Sequence, residues 1–420
     1  MKSTVLNEVF AAFCESRTHF DSMVSKLDPS KKSKVATLLG AFLRRPLTVA
    51  STFKIRLEPT PLEFWNLSFI RLKKHDGIHA TLRDLWQRWE EIPSEGGVED
   101  FPPAMISEWT RDWGEDHAQK MARLLSQDPL TVIRFHRRAF GNDGRLLPEL
   151  ESWLSEAGLP KSRPGNHSTR ARIFRGFAAV QKNDWFKQGY FEIQDEGSQI
   201  MSLYALLPES VRPHLRDRPG VERSPFPSLP NDLQAAPMEV VDACAGAGGK
   251  TLALSDLMGG RGRVYAYDVF EMKVRNLRQR IDRAGERNVQ AKLLPRTGDP
   301  GLTPFEGKSD VVLIDAPCSG TGVLRRNPDT KWNRKPLEQA KVEGSLPIGT
   351  LQESVLETYS RLVKPGGRLV YGVCTQNRAE STERIEKFLQ THQRFSLDSS
   401  GFIGPFDTDG FFMASLRAGE

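Results

Sequence analysis

Val240 to Thr251 reads VVDACAGAGGKT, and this stretch decides the fold. Two β-branched residues lead into Asp242, a turn containing Gly246, Gly248 and Gly249 follows, and Lys250-Thr251 opens a helical run. Glycines at such a turn let a ligand approach the backbone, and the helix N-terminus behind them favours negative charge. Outward from it, GRVYAYD (Gly262–Asp268), SDVVLIDAP (Ser309–Pro317) and GGRLVYGVC (Gly366–Cys374) are further apolar runs separated by helical segments. Continuous rather than alternating apolar runs mark strands buried on both faces. Phe270 to Ala284 carries Val274, Leu277, Ile281 and Ala284 on one face and Lys273, Arg275, Arg278, Arg280 and Arg283 elsewhere, as an amphipathic crossover helix does. The pattern predicts an α/β, doubly wound, Rossmann-like domain over residues 192–420.

Upstream the texture differs. Residues 1–127 read as an all-helical domain, with Leu6, Val9, Phe10 and Phe13, and again Val35, Leu38, Leu39 and Phe42, at helical spacing. Pro102 and Pro103 precede a helix carrying Ile106, Trp109 and Trp113, a second helix is expected over Glu115 to Ser126, and Asp128-Pro129 ends the region. Residues 128–191 read as a small α+β, ferredoxin-like middle domain. It has a strand at Thr131 to Arg134, a helix at Leu147 to Ala157 and a basic turn-rich stretch, KSRPGNHSTRAR. A packing adaptor and an RNA grip are equally good readings of it. Arg218 to Pro237 holds five prolines and reads as a surface loop.

The 420 residues include 59 Lys plus Arg against 53 Asp plus Glu, a net charge of +6 that permits nucleic acid without requiring it. No stretch approaches the ~18 apolar residues of a spanning helix, and the N-terminus lacks the apolar core of a signal peptide. Cys14, Cys244, Cys318 and Cys374 are too few and too scattered for a disulfide framework or a zinc site. A reducing, cytoplasmic setting is expected, with no membrane and no metal.

Three places carry chemistry. Asp268 ends the strand after the glycine turn, where an acid binds ribose hydroxyls. GGKT also ends like a phosphate-binding P-loop, but that motif needs glycine where this chain has Cys244, which counts against an ATPase. The second place is VVLIDAPCSGTGVLRRNPDTKW (Val311–Trp332), which delivers Asp315 and Cys318 to a strand's carboxyl end. Arg325, Arg326, Lys331 and Trp332 follow, a mixture of cations and an aromatic that suits phosphate contact and base stacking, or a solvated basic loop. The third is Gly366 to Ser381, where Cys374 arrives at the same sheet edge.

Together, DACAGAGGKT, DAPCSGTGVLRRNPDTKW and YGVCT…E resemble the RNA cytosine-C5 methyltransferases of the NOL/NOP/Sun family, most closely its RsmB (Fmu/Sun) branch. The resemblance runs from about Gln194 to the closing DGFFMASLR, weakens over 100–190 and is faint before that. It implies S-adenosylmethionine held by Cys244, Ala245, Gly246, Ala247, Gly248, Gly249 and Lys250, with Asp268 on the ribose, Asp299 near the adenine and Asp315 beside the methyl donor. It further implies Cys374 as the nucleophile, Cys318 as the thiol aiding product release, and catalytic roles for Asp315 and Lys250. A NusB-like RNA-binding domain at the N-terminus, ribosomal RNA as partner and a monomer follow from the branch. Departures from the family pattern are Gly246-Ala247 in place of alanine–proline, Val373 before the nucleophile and Ser381 after Glu380. A transfer-RNA cytosine-C5 methyltransferase and a catalytically silent ribosome-assembly factor remain as alternatives.

Overall fold

The computed structural model describes residues 40–41, 43–45, 95–156, 159–168, 170–175, 178, 180–221, 235–294, 300–333, 347–406 and 408–420. The helical spacings at Leu6–Phe13 and Val35–Phe42, Cys14, most of the proline-rich loop and Asp299 lie outside them. The chain forms two compact units, Met1–Pro129 with Val323–Lys335, and Leu130–Gly322 with Pro336–Glu420.

In the first unit, helices α1 (Pro103–Trp113) and α2 (Glu115–Ser126) follow the two prolines as expected, with Pro103 in the first helical turn, where its missing N–H costs nothing. Gly114 separates them with a φ of 89°, and Met105, Trp109, Met121, Leu125 and Leu324 share one core. Buried Arg44 and Arg45 both donate to Asp128 Oδ1, at 2.8 and 3.0 Å.

The second unit contains both sheets. Strands β1 (Thr131–Phe135), β2 (Ser162–Pro164), β3 (Ala171–Phe174) and β4 (Phe191–Ile193) form an antiparallel sheet in the order β2-β3-β1-β4. Ile133, Phe135, Phe174 and Phe191 pack against Leu150 and Trp153 of α3 (Pro148–Leu154), and Trp153 stacks on Phe191 at 5.1 Å. Full burial of each such side chain contributes about 1.5–3 kcal/mol.

The large sheet comprises β5 (Glu239–Asp242), β6 (Arg263–Asp268), β7 (Val289–Leu293), β8 (Ser309–Asp315), β9 (Val363–Val373), β10 (Phe395–Ile403) and β11 (Phe411–Ala418). Its order is β10-β11-β9-β8-β5-β6-β7. The five strands from β9 to β7 run parallel, which confirms the α/β reading, while β10 and β11 add an antiparallel edge that the apolar pattern did not announce. Val311 to Ile314 of β8 are buried, as a central strand requires. Helix α4 (Glu196–Leu206) is buried along nearly its whole length, with Asp195 capping the Gly197 N–H at 2.9 Å. Helices α5 (Gly249–Leu257), α6 (Glu271–Ala284), α7 (Ile348–Ser360) and α8 (Thr382–Thr391) complete the layers. In α6 the buried residues are Val274, Leu277, Ile281 and Ala284, the face read from the sequence. No described helix is long and apolar enough to cross a membrane.

Charge joins the two sheets. Asp256 at the end of α5 accepts from Arg134 of β1 at 2.8 Å, from Arg170 at 2.5 Å and from the Arg137 backbone at 2.8 Å. Glu286 lies 2.6 Å from both His136 and Arg137, and Arg280 and Arg283 of α6 reach Glu192 of β4. His136, Asp256 and Glu286 cluster tightly enough to suggest a metal. Three guanidinium groups already neutralise their carboxylates, so the cluster is an ion-pair junction.

Candidate active site

The site lies at the carboxyl edge of the large sheet, where β5 meets its neighbours β6 and β8, the position doubly wound sheets use for ligands. After Asp242 the chain turns through Ala243–Gly248 into α5. Two tethers bind this turn to β6. Ala245 N–H donates to Tyr267 O at 2.9 Å, and Gly246 N–H donates to Asp268 Oδ2 at 2.9 Å. The other Asp268 oxygen accepts from Phe270 N–H at 2.9 Å, so the carboxylate is locked. Gly246 has a φ of 56° and a Cβ there would meet nothing within 4 Å, leaving open space above the turn. Gly248, at φ 89°, would drive a Cβ to 2.1 Å from Leu277. An open glycine turn, a fixed acid at the next strand end and a helix N-terminus fit a nucleoside-bearing cofactor. Behind the turn, fully buried Asp242 accepts from the Thr251 hydroxyl at 2.6 Å. Burial, aided by Asp315 and Asp268, pushes its carboxyl up to about 7. Burial likewise raises the Cys244 thiol, so this cysteine lines the turn as a neutral group.

Beside the turn, Lys250 Nζ and Asp315 Oδ2 form an ion pair at 2.5 Å. Burial alone would lower the lysine, but Asp315, with lesser help from Cys374 and Asp242, raises it, so Lys250 is a fixed cation. Its ammonium also lies 5.4 Å from the centre of the Phe411 ring.

The two cysteine motifs converge. Cys318 Sγ and Cys374 Sγ are 3.3 Å apart. Their loops are stitched by backbone bonds, Ala316 N–H to Gly372 O and Gly322 N–H to Cys374 O, each 2.9 Å. The hydrogen bond with Cys374, then burial, then the charges of Cys374 and Glu380 hold the Cys318 thiol well above its ordinary range. Cys318 therefore keeps its proton at neutral pH. Val373, the departure before Cys374, is fully buried on β9 opposite Phe412, where an apolar branched residue suits the sheet. Ser381 is also buried, its hydroxyl donating to Asn377 O at 2.6 Å.

The remaining expected residues sit differently. Arg325 and Lys331 are buried in the first unit. Lys331 Nζ donates to Arg44 O at 2.6 Å and Asp100 O at 2.7 Å and lies 4.1 Å from the Phe101 ring centre, and burial holds it well below its ordinary value. Arg326 is half-buried, and the Trp332 side chain lies outside the described residues, as Asp299 does. Arg170, from the basic middle stretch, is consumed by Asp256. Sequence reasoning gave Glu380 no role and missed Ser319, Thr375 and Gln352, whose hydrogen bonds gather on its carboxylate. Ser319 and Thr375 were signalled by their places directly after each cysteine and Glu380 by the closing acid of YGVCT…E, whereas nothing local marked Gln352.

Residues 232–417 match the family described as 16S rRNA methyltransferase RsmB/F. A protein of Bacillus subtilis (strain 168) named "Probable ribosomal RNA small subunit methyltransferase B" is 28% identical over 380 residues, which cover 83% of this chain and 75% of that protein. "Ribosomal RNA small subunit methyltransferase B" of Salmonella paratyphi A is 26% identical over 354 residues, covering 81% and 72%. Among solved structures, NSun6 from Pyrococcus horikoshii with SFG shares the fold at a TM-score of 0.57 and 19% identity, over 76% of this chain and 99% of that one.

Proposed function

We propose, for a chain whose residues 232–417 are of the RsmB/F methyltransferase type, that it transfers a methyl group from S-adenosylmethionine to carbon 5 of a cytosine in small-subunit ribosomal RNA. The observation that carries this reading is the thiol pair Cys318–Cys374 at 3.3 Å beside the Lys250–Asp315 ion pair. The Cys244–Lys250 turn and Asp268 would hold the cofactor, with Asp299 at the adenine. When bound, S-adenosylmethionine supplies a sulfonium methyl as the electrophile.

Carbon 5 of cytosine is a poor nucleophile, and the chain's residues answer that difficulty. Cys374 adds as thiolate to carbon 6, giving a covalent protein–RNA intermediate whose carbon 5 is enamine-like. As the thiolate adds, Asp315 in its protonated form donates to ring N3, where negative charge develops, and Lys250 orients that carboxyl and stabilises charge on Cys374. After transfer, loss of the carbon-5 proton to a base and elimination free Cys374, and Cys318 takes part in this release. The base must leave its stack to reach both thiols. From the 325–332 loop, Arg326 and Trp332 supply contacts to phosphate and base, while buried Arg325 and Lys331 hold the loop's shape. The test is bisulfite sequencing of ribosomal and transfer RNA from cells with and without the gene. Loss of one ribosomal 5-methylcytosine is expected, loss confined to transfer RNA would move the substrate, and an unchanged map would sink the reading.

A further inference from the structure

Glu380 closes the 3-10 turn Arg378–Glu380 just after β9, and its side chain is completely buried. Buried carboxylates ordinarily take a cation. Among the described residues, every hydrogen-bond donor to this carboxylate is neutral. Oε2 accepts from Ser319 N–H at 2.8 Å and from Gln352 Nε2 at 3.1 Å. Oε1 accepts from the Ser319 hydroxyl at 2.5 Å, Asn377 Nδ2 at 2.9 Å and the Thr375 hydroxyl at 3.1 Å. Gln352 also donates to Pro317 O at 2.9 Å. Glu380 thus grips the residue after Cys318 directly, the residue before it through Gln352, and the residue after Cys374 directly. Thr321 strengthens the same knot, with its hydroxyl 2.9 Å from that of Thr375.

We propose that Glu380 is a positioning residue that makes the two thiols inequivalent, clamping both cysteine loops and keeping the shared proton on Cys318 so that Cys374 is the nucleophile. The naming of Cys374 as nucleophile rests on the methyltransferase reading, whereas the inequivalence of the thiols does not. The field is one-sided. Glu380 raises the Cys318 thiol, though less than the Cys374 hydrogen bond and burial do, whereas the cationic Lys250 is coupled to Cys374. Among the described residues, Lys250, itself paired with Asp315, acts on Cys374, Glu380 acts on Cys318, and Tyr371 of β9, which Arg384 of α8 and Cys244 also influence, is coupled to Cys318. Tyr371 is itself pushed up, first by burial and then by Glu380, and its hydroxyl donates to Glu380 O at 2.9 Å, so it stays neutral.

The experiment is alkylation of the full-length chain by iodoacetamide across pH 6 to 9.5, without RNA or cofactor, each thiol followed by peptide mass spectrometry. Wild type is expected to alkylate Cys374 at least about tenfold faster than Cys318 near neutral pH. In Glu380→Gln that ratio should collapse severalfold, with Cys318 reacting at lower pH. Glu380→Asp, which keeps the charge, should restore part of it. Ser319→Ala, which loosens the clamp without touching the charge, guards against a Gln variant that fails to fold and should narrow the ratio in part. Equal reactivity of the two thiols in wild type would overturn the proposal, as would an unchanged ratio in folded Glu380→Gln or, should that variant not fold, in folded Ser319→Ala. On RNA, Glu380→Gln should lower kcat by about 10–100-fold with little change in KM. If the ratio responds as expected but wild type forms no 5-methylcytosine, the methyltransferase reading falls and the positioning of the thiols stands.

Discussion

Cys318 Sγ lies 3.3 Å from Cys374 Sγ across 56 residues of chain. Two thiols so close cannot both be anionic, because like charges at that separation repel strongly, and one must serve as the proton's holder. If Cys374 is the nucleophile, Cys374→Ala abolishes methylation of RNA transcripts. Cys318→Ala instead accumulates an adduct of protein and RNA that survives denaturing electrophoresis, because addition proceeds and release does not. Full activity in the Cys374 variant would reverse the assignment.

The cofactor turn makes a separate prediction, readable without RNA. Calorimetric titration should show S-adenosylmethionine binding to the wild-type chain, and Asp268→Ala should weaken it by about tenfold or more, since hydrogen bonds to a charged group are worth about 1.5–3 kcal/mol. The variant also frees Gly246 N–H, so the turn loses one of its two tethers together with the proposed ribose contact. Binding unaffected by the substitution would remove Asp268 from the site.

Gly322 is where the thiol loops leave no room. A Cβ there would come within 2.1 Å of Gly410 O and 2.9 Å of Gln376 Nε2, while Gly322 N–H holds Cys374 O. Backbone cannot swing away as a side-chain tip can. Gly322→Ala is expected to destabilise by about 1–3 kcal/mol in urea melts. It should also lower kcat by displacing the Cys374 carbonyl, and a variant of native stability and activity would contradict the packing.

Stability should respond to pH in two opposite windows. Burial would raise Glu286, but contacts with His136, Arg137 and Ser255 outweigh it and hold the carboxyl at about 2, and Asp256 is likewise held well below its ordinary range by its arginines and His136. A depressed folded value means stability that is present above the unfolded value of ~4 and lost as pH falls toward 2. Asp242, raised to about 7 mainly by burial, acts the other way, its contribution fading as pH climbs from ~4 to ~7. Thermal melts should therefore show Asp256→Asn costing about 3–5 kcal/mol at neutral pH, because Arg134 and Arg170 lose their counter-charge. Asp242→Asn should flatten the decline between pH 4 and 7. Parallel pH profiles for wild type and both variants would disprove this division.

The α/β core was legible because its signals are local. VVDA, VVLID and RLVYGV are apolar enough to be buried on both faces wherever they fall in the sheet, and Gly246 and Gly248 carry backbone angles of 56° and 89° that other residues rarely adopt. The edge strands β10 and β11 escaped notice because Phe395 to Ile403 alternates too weakly to distinguish strand from loop, and β11 alone justifies its pairing.

From sequence alone came the parallel sheet, the glycine turn with its terminal acid, and the candidate residues for the chemistry. Tertiary structure decided their company. It set the thiols together, gathered Ser319, Gln352, Thr375 and Asn377 on Glu380, and turned cations that read as RNA contacts into internal ones. Arg170 meets Asp256 across 86 residues, and Lys331 meets Arg44 across 287. Periodicity along a chain records how deeply a side chain is buried, since that depends on its own element. The partner waiting there belongs to another element, and only the folded chain brings the two within hydrogen-bond reach.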